Sequence, residues 1–370
     1  MDQANIVIIG GGVIGCAIAA EVAAKYEDVF VLESLPRVGM ATSTRNSGVI
    51  HSGIYYPQNS LKARHCVAGN RLLYAFCAQH EVQHRRCGKI VVAATVDEEP
   101  ALLALKRNGE ANGVEGLRLI TAGQIAQREP HVRGAMALEV PSTGILSSEE
   151  LVKAYARIAQ SRGANIVTNS PVTALAARDG MVHVTSAAGE IAARCLVNSA
   201  GLYADEVAAM LGNPHAHGRY KIHPVRGEYC EVVRQRAHLV NALVYPLPHH
   251  NRLSLGVHFT KTLWGTVLVG PTARYISDKN DYEREREAVE RFAESGRALL
   301  PELRAEDLQP AYSGIRPKLA APGEPARDFI IERDSNVPQA IHLVGMESPG
   351  LTSAPSVALD VAKMVQETLR

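Results

Sequence analysis

Three consecutive glycines followed by Val13-Ile14-Gly15 make a G-x-G-x-x-G starting at Gly10. That pattern suits the holding of a pyrophosphate. Gly10 permits the tight turn, Gly12 lets phosphate approach the backbone, and Gly15 lets the next helix lie close to the preceding strand. The N-terminus of that helix, at Val13 and Ile14, faces the phosphate charge. Glu33, eighteen residues past Gly15, stands where an acid accepts from ribose hydroxyls and repels a 2′-phosphate. The glycines alone are weak evidence, and they do not separate NAD from FAD. The elements around them add weight. Asn5-Ile6-Val7-Ile8-Ile9 is a β-branched run typical of a buried parallel strand, Val13 to Lys25 reads as an alanine-rich helix, and Asp28 to Leu32 as a second strand ending at Glu33.

Thr42-Ser43-Thr44-Arg45-Asn46-Ser47-Gly48 follows that strand, a run of small hydroxyl and amide residues with almost nothing to bury. Read alone it is a solvated loop. Its place is where the chain of a flavoprotein crosses beneath the pyrophosphate and ribityl chain. At this point the sequence resembles the glycine-oxidase/D-amino-acid-oxidase superfamily, and more narrowly the L-2-hydroxyglutarate dehydrogenase family. The resemblance covers most of the chain. It rests on the string from Asn46 to Tyr56, on Ser60-Leu61-Lys62-Ala63, Cys87-Gly88-Lys89, Thr143-Gly144-Ile145 and Ala200-Gly201-Leu202-Tyr203. Further along it rests on the strings from Pro224 to Tyr229, Gly256 to Thr260 and Gly314 to Arg316. The tail departs from the family: Gly345-Met346-Glu347-Ser348-Pro349-Gly350-Leu351-Thr352 stands where relatives carry Asn-Ala-Pro-Ser-Pro-Ala-Ala-Thr.

The resemblance implies FAD as cofactor. Val172, at the end of Asn169-Ser170-Pro171-Val172, would offer its backbone to adenine, and Ala200 and Gly201 end a buried strand where the backbone again approaches the cofactor. Gly314 belongs to the same set. Gly350, Leu351 and Thr352 precede a helix expected from about Pro355 to Leu369, whose N-terminus would face the flavin's pyrimidine edge. The implied reaction is oxidation of a small 2-hydroxy acid, L-2-hydroxyglutarate above all. Such a reaction needs an anchor for the carboxylate and a base for the hydroxyl proton. Arg316 is the expected anchor, because a guanidinium meets a carboxylate with two parallel bonds. His258, in its family-like string on an expected strand, is the expected base, with His51 as rival and as a flavin or substrate contact. Covalent attachment of flavin to His51 is an open alternative. A dicarboxylate needs a second cation, for which Arg45, Lys62, Arg226 and Lys261 are candidates, and Tyr55 and Tyr56 could donate phenolic hydrogen bonds. An amine oxidase of the glycine-oxidase type and a flavin-binding sensor or assembly module are the competing readings. The electron acceptor, whether oxygen, quinone or a carrier protein, stays open.

Positioning these groups calls for an α/β fold: a Rossmann-like FAD-binding domain from residues 1–80, 140–215 and 310–370, and a mainly antiparallel substrate domain from 81–139 and 216–309. Alternation in Leu253–Phe259 and Thr266–Gly270 marks two of the latter's strands. A chain of 370 residues fits two domains, and 46% hydrophobic with 21% charged residues is ordinary for a globular protein. With 39 basic and 38 acidic residues there is no charge footprint for nucleic acid, so a small-molecule partner is expected. Six scattered cysteines include no C-x-x-C, so neither zinc nor another metal is expected, and reduced thiols suit a reducing, cytoplasmic compartment. Peripheral association with the inner face of a membrane is left open, and no transmembrane segment is expected. The apolar stretch from Ile6 to Ala24 mimics a signal peptide, but it lacks a preceding positive charge and is interrupted by the three glycines.

Overall fold

Asp2–Ile9 is buried on both faces, Ile6 and Ile8 toward one core and Val7 and Ile9 toward another, as a central parallel strand must be. In the computed structural model, which describes residues 2–248 and 256–370, it lies at the middle of an eight-stranded sheet. Gly189–Asn198 and Val29–Leu32 flank it in parallel, and Asn165–Val167 and Ala340–Val344 extend the parallel set outward. The hairpin Val172–Arg178/Met181–Ser186 and the strand Ile330–Arg333 add antiparallel pairings. Helices Val13–Val22, Ser148–Ser161 and Gly350–Thr368 cover one face and share a single apolar core with it. The first helix ends three residues earlier than expected, because Lys25 and Tyr26 both donate to the Val22 carbonyl and turn the chain. The last begins five residues before Pro355. Gly350 N donates to Glu347 O (2.6 Å) and Ser353 N to Pro349 O (2.9 Å), so a turn is wound before the proline is reached.

The second large sheet, of nine strands, is antiparallel except where Leu243–Pro246 runs parallel to Lys89–Ala93. Leu308–Lys318 pairs along its length with His223–Val232, so the strand carrying Gly314 and Arg316 belongs to this sheet, and the boundary expected at residue 310 falls inside a strand. Of the strand expected over Leu253–Phe259, His258 and Phe259 open the observed strand His258–Lys261, and Leu253–Leu255 lie outside the described residues. A three-stranded sheet of Val49–Ile50, Gly144–Leu146 and His84–Arg85 completes the β structure of the described residues. The six cysteines are all free thiols. Among the described residues no helix is long and apolar enough to cross a membrane.

Candidate active site

The two large sheets meet around a cavity of about 1220 Å³ lined by both of them. On the parallel-sheet side the wall is the glycine turn. Gly10 has φ +101°, and a Cβ there would stand 2.6 Å from the Ser199 carbonyl oxygen. One on Gly15 would stand 2.0 Å from the Gly10 carbonyl, which keeps Gly15 out of the cavity wall and makes it the contact of helix with turn. Gly12 is different in kind. Its backbone is extended (φ −74°, ψ −179°) and a Cβ would approach only the Ser43 hydroxyl, at 3.0 Å, at the edge of the cavity. The turn therefore tolerates a side chain at 12 conformationally, while a cofactor in the cavity would not. Gly12→Val is expected to fold normally and to lose at least about tenfold in FAD occupancy, read from the absorbance of released flavin; full occupancy in a folded variant would show that the turn serves another purpose.

Glu33, 8% exposed, lines the cavity, and its carboxylate accepts from Gly11 N (2.7 Å) and Leu35 N (2.8 Å), which fixes it beside the turn. Val13 N donates to Ser43 Oγ (2.9 Å) at the helix N-terminus. Thr42, Ser43, Asn46 and Ser47 line the cavity, whereas Thr44 and Gly48 brace the loop: Thr44 Oγ1 donates to Gly39 O (2.7 Å) and Gly48 N to Asn46 Oδ1 (2.9 Å). The loop is stitched to the second sheet. Thr42 Oγ1 donates to Ile315 O (2.9 Å), Tyr312 OH donates to Asn46 O (2.8 Å), and a Cβ on Gly314 would lie 2.0 Å from Arg45 O. Ile14, Val172, Ala200, Gly201, Gly314, Gly350 and Leu351 all line the cavity. Thr352 stands behind the wall, accepting from His51 N (3.0 Å) and tying the last helix to the strand at Val49.

The opposite end gathers the groups suited to chemistry. Arg316 lines the cavity, donating from Nη1 to Thr272 O (3.2 Å), and no carboxylate pairs with it among the described residues. Gly227 makes room for it, since a Cβ there would meet Arg316 Nη2 at 2.6 Å. His258, 5% exposed, stacks on Tyr245 with ring centroids 3.8 Å apart. Its Nδ1 donates to Gly256 O (2.8 Å), which places the lone pair of the neutral ring on Nε2. His51 Nε2 pairs with Ser348 Oγ (3.3 Å), and its Nδ1 is buried without a partner among the described residues. Burial pushes both imidazoles down to about 3. The charge on Lys89 helps in both, the two rings oppose each other at His51, and Arg316 adds to the effect at His258. Tyr55 and Tyr56 line the same region, Tyr55 OH being buried and unpaired among the described residues and Tyr56 bonded to Ser348.

Two candidate cations fall elsewhere. Arg226, expected as a substrate contact, lies outside the cavity wall and is fully buried, paired with Glu228 (2.9 Å) and Asp281 (3.0 Å). Its guanidinium is spent on holding the second sheet to the segment around Asp281. Lys261 donates to Ala237 O (2.6 Å), also away from the cavity. Lys62 reaches the cavity but is bound to Glu347 (2.9 Å) and Arg327 O (2.9 Å), and Lys318 takes the other Glu347 oxygen (3.0 Å). Arg45 lies over the Tyr282 ring, 4.2 Å from its centroid. Sequence reasoning named Lys62 but neither its partner Glu347 nor Lys318, and it passed over the aromatic wall of Tyr229 and Tyr245. It also passed over Lys89 as a site residue, although a lysine opening the wholly buried strand Lys89–Ala93 was a visible anomaly.

A glycine turn at a parallel sheet, a fixed acid beside it, and an unpaired arginine and a buried histidine contributed by an antiparallel sheet define an oxidoreductase of the dinucleotide-binding class. The family model described as FAD dependent oxidoreductase matches residues 5–364, and the chain belongs to that family and, within it, to the L-2-hydroxyglutarate dehydrogenases. It is 34% identical over 403 residues to the mitochondrial L-2-hydroxyglutarate dehydrogenase of Arabidopsis thaliana, covering 98% of this chain and 83% of that protein. To the L-2-hydroxyglutarate dehydrogenase of Escherichia coli K12 it is 33% identical over 402 residues, covering 99% and 94%. Among solved structures, FAD-bound L-α-glycerophosphate oxidase of Mycoplasma pneumoniae superposes with a TM-score of 0.90 at 28% identity, covering 99% of this chain and 95% of that one.

Proposed function

We propose that the protein binds FAD in the cavity and oxidises L-2-hydroxyglutarate to 2-oxoglutarate. The observation that carries this reading is the pairing of Arg316, a cavity-lining guanidinium with no carboxylate of its own, with His258, a neutral buried imidazole from the same sheet. The cavity fits the cofactor: its wall at Gly12 admits a pyrophosphate where a side chain would intrude, and Glu33 stands ready for ribose. Bound FAD supplies the acceptor for the hydride that leaves the α-carbon. Arg316 holds the carboxylate next to that carbon through a charge-assisted pair. His258 Nε2 takes the hydroxyl proton, while the bond from Nδ1 to Gly256 O and the stack on Tyr245 hold the ring in its tautomer and plane. The buried setting keeps bulk water from competing for these groups.

Anaerobic titration of the holoprotein tests the reading directly. L-2-hydroxyglutarate is expected to bleach the flavin, and its D-enantiomer, glycine, sarcosine and glycerol 3-phosphate are not. Bleaching by an amino acid or by glycerol 3-phosphate, with L-2-hydroxyglutarate inert, would replace the proposal with the activity that responded.

A further inference from the structure

Lys89 is the most unusual charge in the molecule. It is fully buried on the strand Lys89–Ala93, and among the described residues its Nζ has no hydrogen-bond partner. No carboxylate pairs with it among the described residues, and residues 249–255 contain no acid that could. The amine lies 4.3 Å from the centroid of the Tyr55 ring and 4.8 Å from that of Tyr245. Both rings line the cavity, and Tyr245 stacks on His258. Aromatic faces soften the loss of water but do not neutralise a cation. A buried ammonium without a counter-ion is costly, so its presence calls for an anion that arrives from outside.

Of the other cations lining the cavity, Lys62 and Lys318 share Glu347, Lys279 is paired with Asp205 and Glu206, Arg327 donates to the Leu319 and Arg219 carbonyls, and Arg45 lies over Tyr282. Arg316 is the anchor for the carboxylate beside the reacting carbon in the reading above, on which this inference rests. We infer that Lys89 is the second positive charge of the substrate site, acting from behind Tyr55 and Tyr245 to favour ligands that carry a second carboxylate. It is a specificity-determining residue that works by its field, and Tyr55, whose ring lies against the ammonium and lines the cavity, carries a buried hydroxyl unpaired among the described residues. Burial draws the ammonium down to about 7, with the neighbouring Cys66 opposing that shift, so an incoming anion favours its charged form.

The test compares ligands that differ in one charge, using holoprotein and the perturbation of the flavin absorbance as the reading. Glutarate and butyrate lack a hydroxyl and cannot be oxidised as hydroxy acids, so the result does not depend on turnover. In Lys89→Met the Kd of glutarate is expected to rise tenfold or more, and that of butyrate to stay within about twofold. FAD content and Tm are expected to match the parent, since the variant removes an unpaired buried charge. Lys89→Gln is the second variant and is expected to behave alike. The unaltered protein supplies a check that needs no variant: glutarate should bind more tightly than its monomethyl ester. Equal binding of these two, an unchanged glutarate Kd in a folded variant, or a parallel loss for glutarate and butyrate would each overturn the inference. Selective loss of glutarate binding in a protein that L-2-hydroxyglutarate fails to bleach would sustain Lys89 and sink the proposed reaction instead.

Discussion

Replacing His258 with alanine is expected to slow flavin reduction by L-2-hydroxyglutarate by about 10²–10⁴-fold, the usual worth of a general base. Stopped-flow absorbance measures it, and the Kd from the same titrations should change little because Arg316 is untouched. The pH profile adds a second reading. A ring pushed down to about 3 is unprotonated, and able to accept a proton, at every pH above that value. In the free enzyme, therefore, protonation of His258 should cause no loss of low-substrate reduction as pH falls through 6.5. The bound carboxylate favours the imidazolium, so at saturating substrate the acid limb set by His258 should move upward. His51 shares the depressed value although its side chain is only half-buried, which makes His51→Ala the necessary control. The hydrogen bond between Ser348 Oγ and its Nε2 argues for a positioning role. A large loss in His51→Ala beside normal reduction in His258→Ala would exchange the two assignments.

Arg316→Met should raise the Kd for L-2-hydroxyglutarate by about 30- to 1000-fold, equivalent to about 2–4 kcal/mol, while FAD stays bound. The figure is large because the guanidinium pairs with no carboxylate among the described residues, donating to the Thr272 carbonyl, and would meet its counter-charge in the ligand. Gly227→Ala offers a gentler version of the same loss. The added methyl would stand 2.6 Å from Arg316 Nη2, so the guanidinium must move while its charge is kept. Its Kd should fall between those of the parent and Arg316→Met. Undisturbed affinity in both variants would remove Arg316 from the substrate site.

Local pattern carried a good part of the fold. The glycine turn, the strands beside it and the helix after it are set by neighbours in sequence, and they lie within a few residues of where periodicity places them. The α/β class follows from those elements. What pattern missed is long-range. Whether Leu308–Lys318 joins one sheet or the other depends on pairing with His223–Val232, far back in the chain. The fate of Arg226 turns on Asp281, which lies beyond the reach of any local reading. In the site, Arg316 and His258 could be picked out because a fork-shaped cation and an imidazole suit the chemistry wherever they occur. Lys89 was harder to see. Its signal was a charge out of place at the start of an apolar strand, and only the tertiary structure shows the aromatic rings around it and the missing counter-ion.

The stitching of the polar loop to the Arg316 strand binds two equilibria together. Thr42 and Asn46 line the cavity, yet their bonds run to Ile315, next to Arg316, and to Tyr312, two residues before Gly314 on the same strand. Any tightening of the loop around FAD steadies the strand that presents the guanidinium. Linkage makes that effect mutual: by whatever factor FAD improves the grip on a carboxylate, a bound carboxylate improves the grip on FAD. A cell rich in such an acid would thus protect the enzyme from losing its cofactor, and one depleted of it would release apoprotein first.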